Sequence, residues 1–229
     1  GLPGQPQLGL GRGILARYVE HELARNKLGY VARFAELDFG SGENAGPGNP
    51  DTLPAVFELP LPGGVVRLRG SVDRVDEGPL GLEVVDFKTG SARTTAEIKD
   101  GRAFQLPVYL AAVSRLTGSP PGGICYLLLP AEKELKLKEA LKSRGKVEVE
   151  PALLVGKLLP ERLSRLLGAL EQGVFLHLPF AKESACNGCD FAAACALRPT
   201  VAADRRARLK AGELGVSAYL PESAARSAE

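Results

Sequence analysis

The chain has 229 residues, of which 45% are apolar and 24% are charged, so it is long enough to fold around a core of its own. Its 29 basic residues almost balance its 27 acidic residues, which excludes a polyelectrolyte tail, and no apolar run approaches the roughly 18 residues of a membrane span. Four cysteines are too few for a disulfide scaffold, and no signal peptide is recognisable, so we expect a cytoplasmic protein. At this length we expect a single domain, residues 1–229. Because the chain begins at Gly1 and contains no methionine, we also expect it to be a piece of a larger protein.

The first predicted element is an amphipathic helix from Gly13 to about Leu28. Arg17, Glu20 and His21 gather on its polar face. The apolar residues of the opposite face are Ile14, Leu15, Tyr18, Val19 and Leu23. The stretch from Gly40 to Pro54 is rich in Gly, Asn, Ser and Pro and therefore predicts an exposed loop.

Two strands are predicted next, from Val65 to Val75 and from Gly81 to Lys88. The turn residues Asp76, Gly78 and Pro79 lie between them, so the two strands are expected to form a hairpin.

The second half of the chain predicts two more helices and a strand. A helix from Phe104 ends at Gly118, and the apolar run Gly123 to Leu129 predicts a buried strand. The basic stretch from Ala131 to Lys146 is most simply a solvated face or a hairpin, although it could also contact phosphates. A core-facing helix then runs from Pro160 to Gly173. The order of elements predicts a mixed α/β fold with a central mixed sheet flanked by helices.

Two acids and one lysine fall at the ends of the two predicted central strands. Asp86 and Lys88 must point to the same side of their strand, and pairing with the preceding strand could place Asp73 beside them. Paired carboxylates suit a hard divalent cation such as Mg²⁺ or Mn²⁺. A neighbouring lysine can orient or deprotonate an attacking water, or stabilise charge on a phosphate, so phosphodiester hydrolysis is the expected reaction.

Gln105 and Tyr109 are one turn apart on the following helix and are expected to face the same way. Either side chain could reach a nucleic-acid backbone or hold Lys88 in place. Taken singly these features are common, but their order and spacing together are much less so.

The segment from Arg67 to Tyr109 contains RLRGSVDRVDEG, EVVDFKTG and QLPVY, and it resembles the nuclease domain of the RecB family within the PD-(D/E)xK superfamily. The resemblance is greatest to the C-terminal nuclease domain of AddB-type helicase-nuclease subunits. It implies a restriction-endonuclease-like core that cleaves DNA with a divalent metal, as an exonuclease in double-strand-break repair or recombination. It also implies a helicase region or partner subunit that unwinds the DNA end.

The same resemblance assigns roles to individual residues. It implies that Asp73 and Asp86 are metal ligands, that Lys88 is the catalytic lysine, and that Gln105 and Tyr109 form the supporting motif. The family usually has a further metal-binding histidine on its first helix. In this chain Arg17 occupies the expected position, and the alternatives one turn or less away are Glu20 and His21, of which we take His21 as the candidate metal ligand. The other interpretation is that His21 is a solvated helix residue.

A cysteine-rich element at about 173–200 contains Cys186, Cys189 and Cys195 in the spacing C-x2-C-x5-C. Three thiolates this close repel one another unless a metal neutralises them, and they supply all but one ligand of a four-cysteine [4Fe-4S] site. The pattern resembles the cluster motif of AddB-type iron-sulfur nucleases, which implies a fourth cysteine outside this chain. Cys125 lies in an apolar run and is interpreted as a buried structural thiol. A three-cysteine site, an empty site, or zinc completed by His177 are the alternatives.

Two other functions remain open at the level of sequence. One is a catalytically inactive nuclease fold that binds DNA or a partner subunit. The other is a stand-alone iron-sulfur nuclease of the type associated with CRISPR adaptation.

Overall fold

The structure is a computed structural model that describes residues 13–40, 52–53, 55–129 and 135–173, together with positions 190, 204, 207 and 208. The chain divides into two compact units, Gly1–Pro160 and Glu161–Glu229. The first unit contains every described strand. In the second unit, the described part consists of the greater part of one helix, the two residues after it, and the four isolated positions. The expectation of one domain over 1–229 stays a prediction.

The described elements follow one another along the chain as a helix, five strands, two helices, four strands and a final helical stretch. The helices are α1 (Ile14–Lys27), α2 (Thr95–Lys99), α3 (Gln105–Thr117), α4 (Pro151–Leu153) and α5 (Leu159–Glu171), with a π-helical segment, Leu154–Leu158, between the last two. The strands are β1 (Val31–Phe39), β2 (Phe57–Leu61), β3 (Gly64–Leu68), β4 (Gly70–Gly78), β5 (Gly81–Lys88), β6 (Pro121–Leu128), β7 (Lys136–Glu139), β8 (Lys142–Ser143) and β9 (Lys146–Val147). None of the helices in these ranges is long and apolar enough to span a membrane.

Five strands form the central sheet in the order β1-β4-β5-β6-β7. β5 and β6 are parallel, and every other neighbouring pair is antiparallel. The parallel pair is joined through α2 and α3, and α3 packs against both of its strands. Val84, Leu106 and Leu110 are fully buried or nearly so and belong to the core beneath α3. The predicted mixed α/β fold with a helix-flanked mixed sheet is therefore confirmed.

The predicted strand from Val65 to Val75 is wrong as a single element. The structure divides it into β3, which pairs with β2 in a separate hairpin, and β4, which pairs with β1 and β5 in the central sheet. A strand must interrupt its ladder where it changes partners, and it does so at Arg69, between the two strands. The predicted hairpin between the two central strands is confirmed, because β4 and β5 pair up to Gly78 and Gly81.

Helix α1 presents its faces in the opposite sense from an ordinary amphipathic helix. Leu15, Val19 and Leu23 are 71%, 55% and 56% exposed, whereas Arg25 is 6% exposed. An amphipathic helix normally turns its apolar stripe toward the core. Here polar side chains of α1 pair with charges on the sheet, and these ion pairs determine which face is buried.

The predicted ends of the later helices agree with the structure. Gly118 follows α3 with φ 71°, a left-handed conformation that glycine adopts at little cost. Gly173, with φ 70°, follows α5 in the same way. The basic stretch is described from Leu135 onward. There it forms β7 and a β8–β9 hairpin, in agreement with the prediction of a hairpin.

Candidate functional site

The register of β4 and β5 determines where Asp73 and Asp86 lie. The antiparallel ladder pairs Arg74 with Val85, so Asp73 and Asp86 occupy the next opposed positions beyond it. Opposed residues of an antiparallel pair project to the same face. Oδ2 of Asp73 accepts a hydrogen bond of 2.9 Å from the backbone N–H of Phe87, which ties this carboxylate to the neighbouring strand.

Asp86 and Lys88 form an ion pair at this end of β5. Lys88 Nζ lies 2.7 Å from Oδ2 of Asp86, as expected for two residues that alternate onto one face of a strand. Asp86 is 3% exposed, while the Lys88 side chain is 33% exposed. We call Asp73, Asp86 and Lys88 the carboxylate-lysine site: a buried acid, a half-buried acid and an ammonium that reaches solvent.

The electrostatics of the site leave Asp86 incompletely compensated. Burial raises the pKa of Asp86; the Lys88 ammonium lowers it, the Asp73 carboxylate raises it, and the net effect is upward. Despite the nearby ammonium, the geometry leaves Oδ2 of Asp86 buried without a hydrogen bond within the described residues. Such a carboxylate gains from any further positive charge placed beside it.

These features suit a divalent cation held by oxygen ligands. Two carboxylates on adjacent strands share one face, and Oδ2 of Asp86 has unused acceptor capacity. Mg²⁺ and Mn²⁺ prefer such oxygen ligands and complete their shells with water. The described residues contain no cluster of three His, Cys, Asp or Glu side chains that could hold a metal, so within this part of the chain the carboxylate ligands at the site would be Asp73 and Asp86.

The structure places Gln105 and Tyr109 at the start of α3. Gln105 is exposed, and the Tyr109 ring packs edge-on to Phe39 with 6.0 Å between the ring centroids. A side chain at Gly70 would come within 3.0 Å of both rings, so this glycine allows Tyr109 to approach the beginning of β4. Within the described residues, neither Gln105 nor Tyr109 forms a hydrogen bond with Lys88, and their supporting role stays a prediction.

His21 lies in a different electrostatic environment from the two site carboxylates. Burial lowers the pKa of His21, and its charged neighbours are Glu22, Arg25, Arg74 and Asp76. Its Nε2 is buried and forms no hydrogen bond within the described residues. The structure therefore does not bring His21 together with Asp73 and Asp86 as a metal-binding group. Glu20 is exposed on the same helix, and Arg17 is half-buried.

A second charged group occupies the other face of β4 and β5. Two arginines, Arg25 of α1 and Arg74 of β4, share Asp76, which is fully buried. Arg25 Nη2 lies 2.8 Å from Asp76 Oδ2 and 2.5 Å from Glu83 Oε1. Arg74 lies 2.5 Å from Asp76 and 2.6 Å from Glu22. We call these residues, Glu22, Arg25, Arg74, Asp76 and Glu83, the arginine-paired cluster.

Ion pairs in this cluster hold both arginines firmly in their charged form. Burial works to lower the pKa of Arg74, but hydrogen bonds to Glu22 and Asp76 outweigh it, so the pKa is raised. Arg74 also donates a hydrogen bond of 2.7 Å to the Tyr18 hydroxyl. The cluster lies outside the predicted site residues, although the i, i+2 spacing of Arg74 and Asp76 places both side chains on one face of a strand.

Tyr126 is a further residue beside the site that the sequence motifs did not indicate. It is the partner of Asp86 in the parallel pairing of β5 with β6. Burial, followed by the charge of Asp86, raises the pKa of Tyr126 to about 12.

Cys125, next to Tyr126 in the sequence, is buried, as expected, and burial raises its pKa well above the ordinary value. Cys186, Cys189, Cys195 and His177 lie outside the described residues, so the predicted cluster stays a prediction.

The profile of one protein family, the PD-(D/E)XK nuclease superfamily, matches residues 5–196 of the chain. The comparison with curated proteins found no match to this chain. Among solved structures, the one described as "Crystal structure of SSO0001" is similar at 12% sequence identity and a TM-score of 0.35, covering 80% of this chain and 68% of that one. This structural likeness is distant, so the sequence profile alone identifies the family.

Proposed function

The chain belongs to the PD-(D/E)XK nuclease superfamily, and on that basis we propose that it is a metal-dependent deoxyribonuclease that hydrolyses phosphodiester bonds. The observation that carries the proposal is the carboxylate-lysine site at the ends of β4 and β5. One carboxylate of this site is buried, and the Lys88 ammonium, which lies 2.7 Å from its Oδ2 without hydrogen-bonding geometry, reaches solvent. That combination is suited to a cation and an anionic substrate meeting at one point.

Each residue of the site has a separate task in this reaction. Asp73 and Asp86 would hold Mg²⁺ or Mn²⁺, which lowers the pKa of bound water and polarises the phosphate. The hydrogen bond from Phe87 N–H fixes the orientation of Asp73, and the register of β5 fixes Asp86. Nζ of Lys88 orients the attacking water and stabilises the negative charge that develops on the phosphate oxygens.

The motif order supports a narrower assignment within the superfamily. RLRGSVDRVDEG, EVVDFKTG and QLPVY resemble the RecB family, and AddB-type subunits in particular. We therefore propose exonucleolytic cleavage of DNA ends during double-strand-break repair or recombination, in the cytoplasm and together with a helicase region or partner subunit. The net charge of the chain is close to zero. Such a charge is compatible with DNA cleavage, because a linked helicase can supply much of the affinity for DNA.

The test is degradation of linear DNA by the purified chain in Mn²⁺ or Mg²⁺. The proposal predicts activity that a chelator removes, and Asp86→Ala or Lys88→Ala is expected to lower it at least about a hundredfold. Glu77→Ala is a matched control, since Glu77 is an exposed acid of the same strand as Asp73. Persistent cleavage in both site variants would overturn the assignment.

A catalytically inactive module that binds DNA or a partner subunit is the second candidate. One observation favours it: His21 has the arginine-paired cluster as its neighbours, and not the two site carboxylates. An inactive module would bind DNA yet show no cleavage under any divalent metal. Cleavage by the unaltered chain that disappears in Lys88→Ala would exclude it.

We also propose that Cys186, Cys189 and Cys195 bind a [4Fe-4S] cluster whose fourth ligand lies outside this chain. The clustering of three thiolates supports this proposal, and so does the resemblance to AddB-type nucleases. Visible absorption of anaerobically purified protein, extended upstream, tests it. A colourless protein that contains zinc would count against iron-sulfur binding.

A further inference from the structure

We propose that the segment 135–149, called here the basic arm, binds the phosphate backbone of DNA beside the carboxylate-lysine site. The inference rests on the proposed nuclease function, because it assigns a contact surface for the same substrate. The sequence of this segment is equally compatible with a solvated face. Two structural features favour phosphate binding: the segment is anchored to the core, and its exposed charges lie on one hairpin.

The arm has more positive charge than its internal ion pairs neutralise. It contains five cations and two carboxylates. Both carboxylates are already paired: Glu139 with Lys142, and Glu148 with Lys99 of α2 at 3.2 Å. Arg144 and Lys146 are exposed and form no ion pair within the described residues. Arg144 and Lys146 therefore lie close together on the β8–β9 hairpin as unneutralised cations.

The base of the arm is fixed in the core. Ala140, Leu141 and Val149 are buried, and β7 pairs with β6 along the edge of the central sheet. Ala140 N–H donates a hydrogen bond of 2.8 Å to the carbonyl of Ile124. The exposed cations are therefore carried on a firmly attached support, which lowers the entropy cost of holding them against a ligand.

Further contacts join the arm to the segment that leaves the candidate site. Nζ of Lys138 donates a hydrogen bond of 2.7 Å to the carbonyl of Arg93, five residues after Lys88. The Thr95 hydroxyl donates one of 3.0 Å to the carbonyl of Lys142. Together with the Lys99–Glu148 ion pair, these contacts hold α2 and the preceding loop against the arm. The arm and the site thus belong to one connected surface.

The sheet register gives the separation between site and arm. Asp86 is paired with Tyr126, and Tyr126 with Lys138, so these three residues form one row across β5, β6 and β7. Neighbouring strands are about 4.8 Å apart, which places the base of the arm about 10 Å from Asp86. Since each DNA strand carries a phosphate every 3.4 Å or so along the helix axis, this distance from Asp86 to the base of the arm corresponds to about three nucleotides.

The tip of the arm is a tight turn that places an arginine where glycine or asparagine is more usual. Arg144 has φ 50° and Gly145 has φ 76°, so both central residues are left-handed, as in a type I′ hairpin turn. A non-glycine residue in this conformation is uncommon, and strain of this kind concentrates at functional positions. An exposed arginine at the end of the hairpin can approach phosphate oxygens from outside the sheet.

The test is DNA binding by the double variant Arg144→Asn and Lys146→Gln, measured by fluorescence anisotropy with a labelled duplex in chelator. Asparagine tolerates the left-handed conformation, so the turn is retained while its charge is removed. The slope of the logarithm of the binding constant against the logarithm of salt concentration is expected to fall in magnitude by about two, one for each lost phosphate contact.

The matched control removes two exposed cations elsewhere, Lys27→Gln in α1 and Lys157→Gln in the π-helical segment. It is expected to keep the salt dependence of the unaltered chain. Unchanged binding by the arm variant, or an equal loss in the control, would overturn the inference. If the unaltered chain cleaves DNA while the arm variant binds normally, only the arm assignment fails. If the unaltered chain neither binds nor cleaves DNA, the proposed function fails with it.

Discussion

The two faces of β4 and β5 carry similar acids but give them opposite environments. On one face, Asp76 and Glu83 are buried and paired with two arginines, so their charges are neutralised within the protein. On the other face, Asp73 and Asp86 have one lysine between them, and the contact of this lysine with Oδ2 of Asp86 lacks hydrogen-bonding geometry. The first arrangement is complete without a ligand, whereas the second has unused capacity for a cation.

This difference separates a structural charge cluster from a chemical one. Because α1 meets the sheet through the arginine-paired cluster, its ion pairs take the place of apolar packing and leave Leu15, Val19 and Leu23 exposed. The carboxylate-lysine site, in contrast, has Lys88 reaching solvent beside a buried acid. Loss of a charge should therefore reduce stability on one face and activity on the other.

The largest effect on stability is expected for Asp76→Ala. The change leaves Arg25 and Arg74 buried without the carboxylate that they share, and removing one partner of a buried ion pair costs about 3–5 kcal/mol. Denaturant unfolding measures it, with Glu77→Ala as a control: its side chain is 62% exposed, so a cost within about 1 kcal/mol is expected. Equal losses of unfolding free energy in Asp76→Ala and Glu77→Ala would contradict a structural role for the arginine-paired cluster.

Lys88→Met is expected to reduce nuclease activity by about 10²–10⁴-fold, because it removes the ammonium that orients water and stabilises developing charge. The change also leaves the buried Asp86 without its ion-pair partner, so a stability loss of about 1–3 kcal/mol is expected, smaller than that of Asp76→Ala. The measurement pairs initial cleavage rates with denaturant unfolding, and Lys27→Met serves as a charge-matched control. A large loss of stability with activity retained would show that Lys88 has a structural role and not a catalytic one.

Asp86→Asn is expected to leave stability unchanged or slightly higher, in contrast to Asp76→Ala. Burial raises the pKa of Asp86, so the folded protein favours its neutral form, and the amide imitates that form. Unfolding in urea tests this without any assay for function. A loss as large as that of Asp76→Ala would show that Asp86 also belongs to a structural ion pair.

The smallest expected effect concerns His21 and the pH dependence of stability. Burial lowers its pKa below the ordinary value of 6.5, so below that value the unfolded chain binds the proton more readily than the folded one. The contribution of His21 is therefore present above pH 6.5 and is lost as the pH falls toward the lowered pKa. His21→Gln should lose less stability between about pH 7.5 and about pH 5.5 than the unaltered chain. An identical loss in both proteins would contradict a lowered pKa of His21.

Sequence reasoning predicted the parts of the fold that depend on local pattern. The β4–β5 hairpin, the end of α3 at Gly118 and the buried strand around Cys125 follow from alternation and turn residues. The division between β3 and β4 was missed, because a change of strand partner leaves no mark on hydrophobic alternation.

The site was partly predictable for a similar reason. Alternation places Asp86 and Lys88 on one face, and hairpin pairing adds Asp73, so the spacing alone suggested where these side chains lie. The environment of His21 was not predictable, because it depends on which face of α1 turns inward. Long-range ion pairs decide that orientation, and helical periodicity does not encode them.

The central claim is that Asp73 and Asp86 bind a divalent cation because the single Lys88 ammonium compensates their two negative charges only in part. Calorimetric titration of Mn²⁺ into the unaltered chain, Asp86→Asn and Glu77→Gln tests it most directly. We predict one class of site that disappears in Asp86→Asn and is retained in Glu77→Gln. Unchanged Mn²⁺ affinity in Asp86→Asn would contradict the claim.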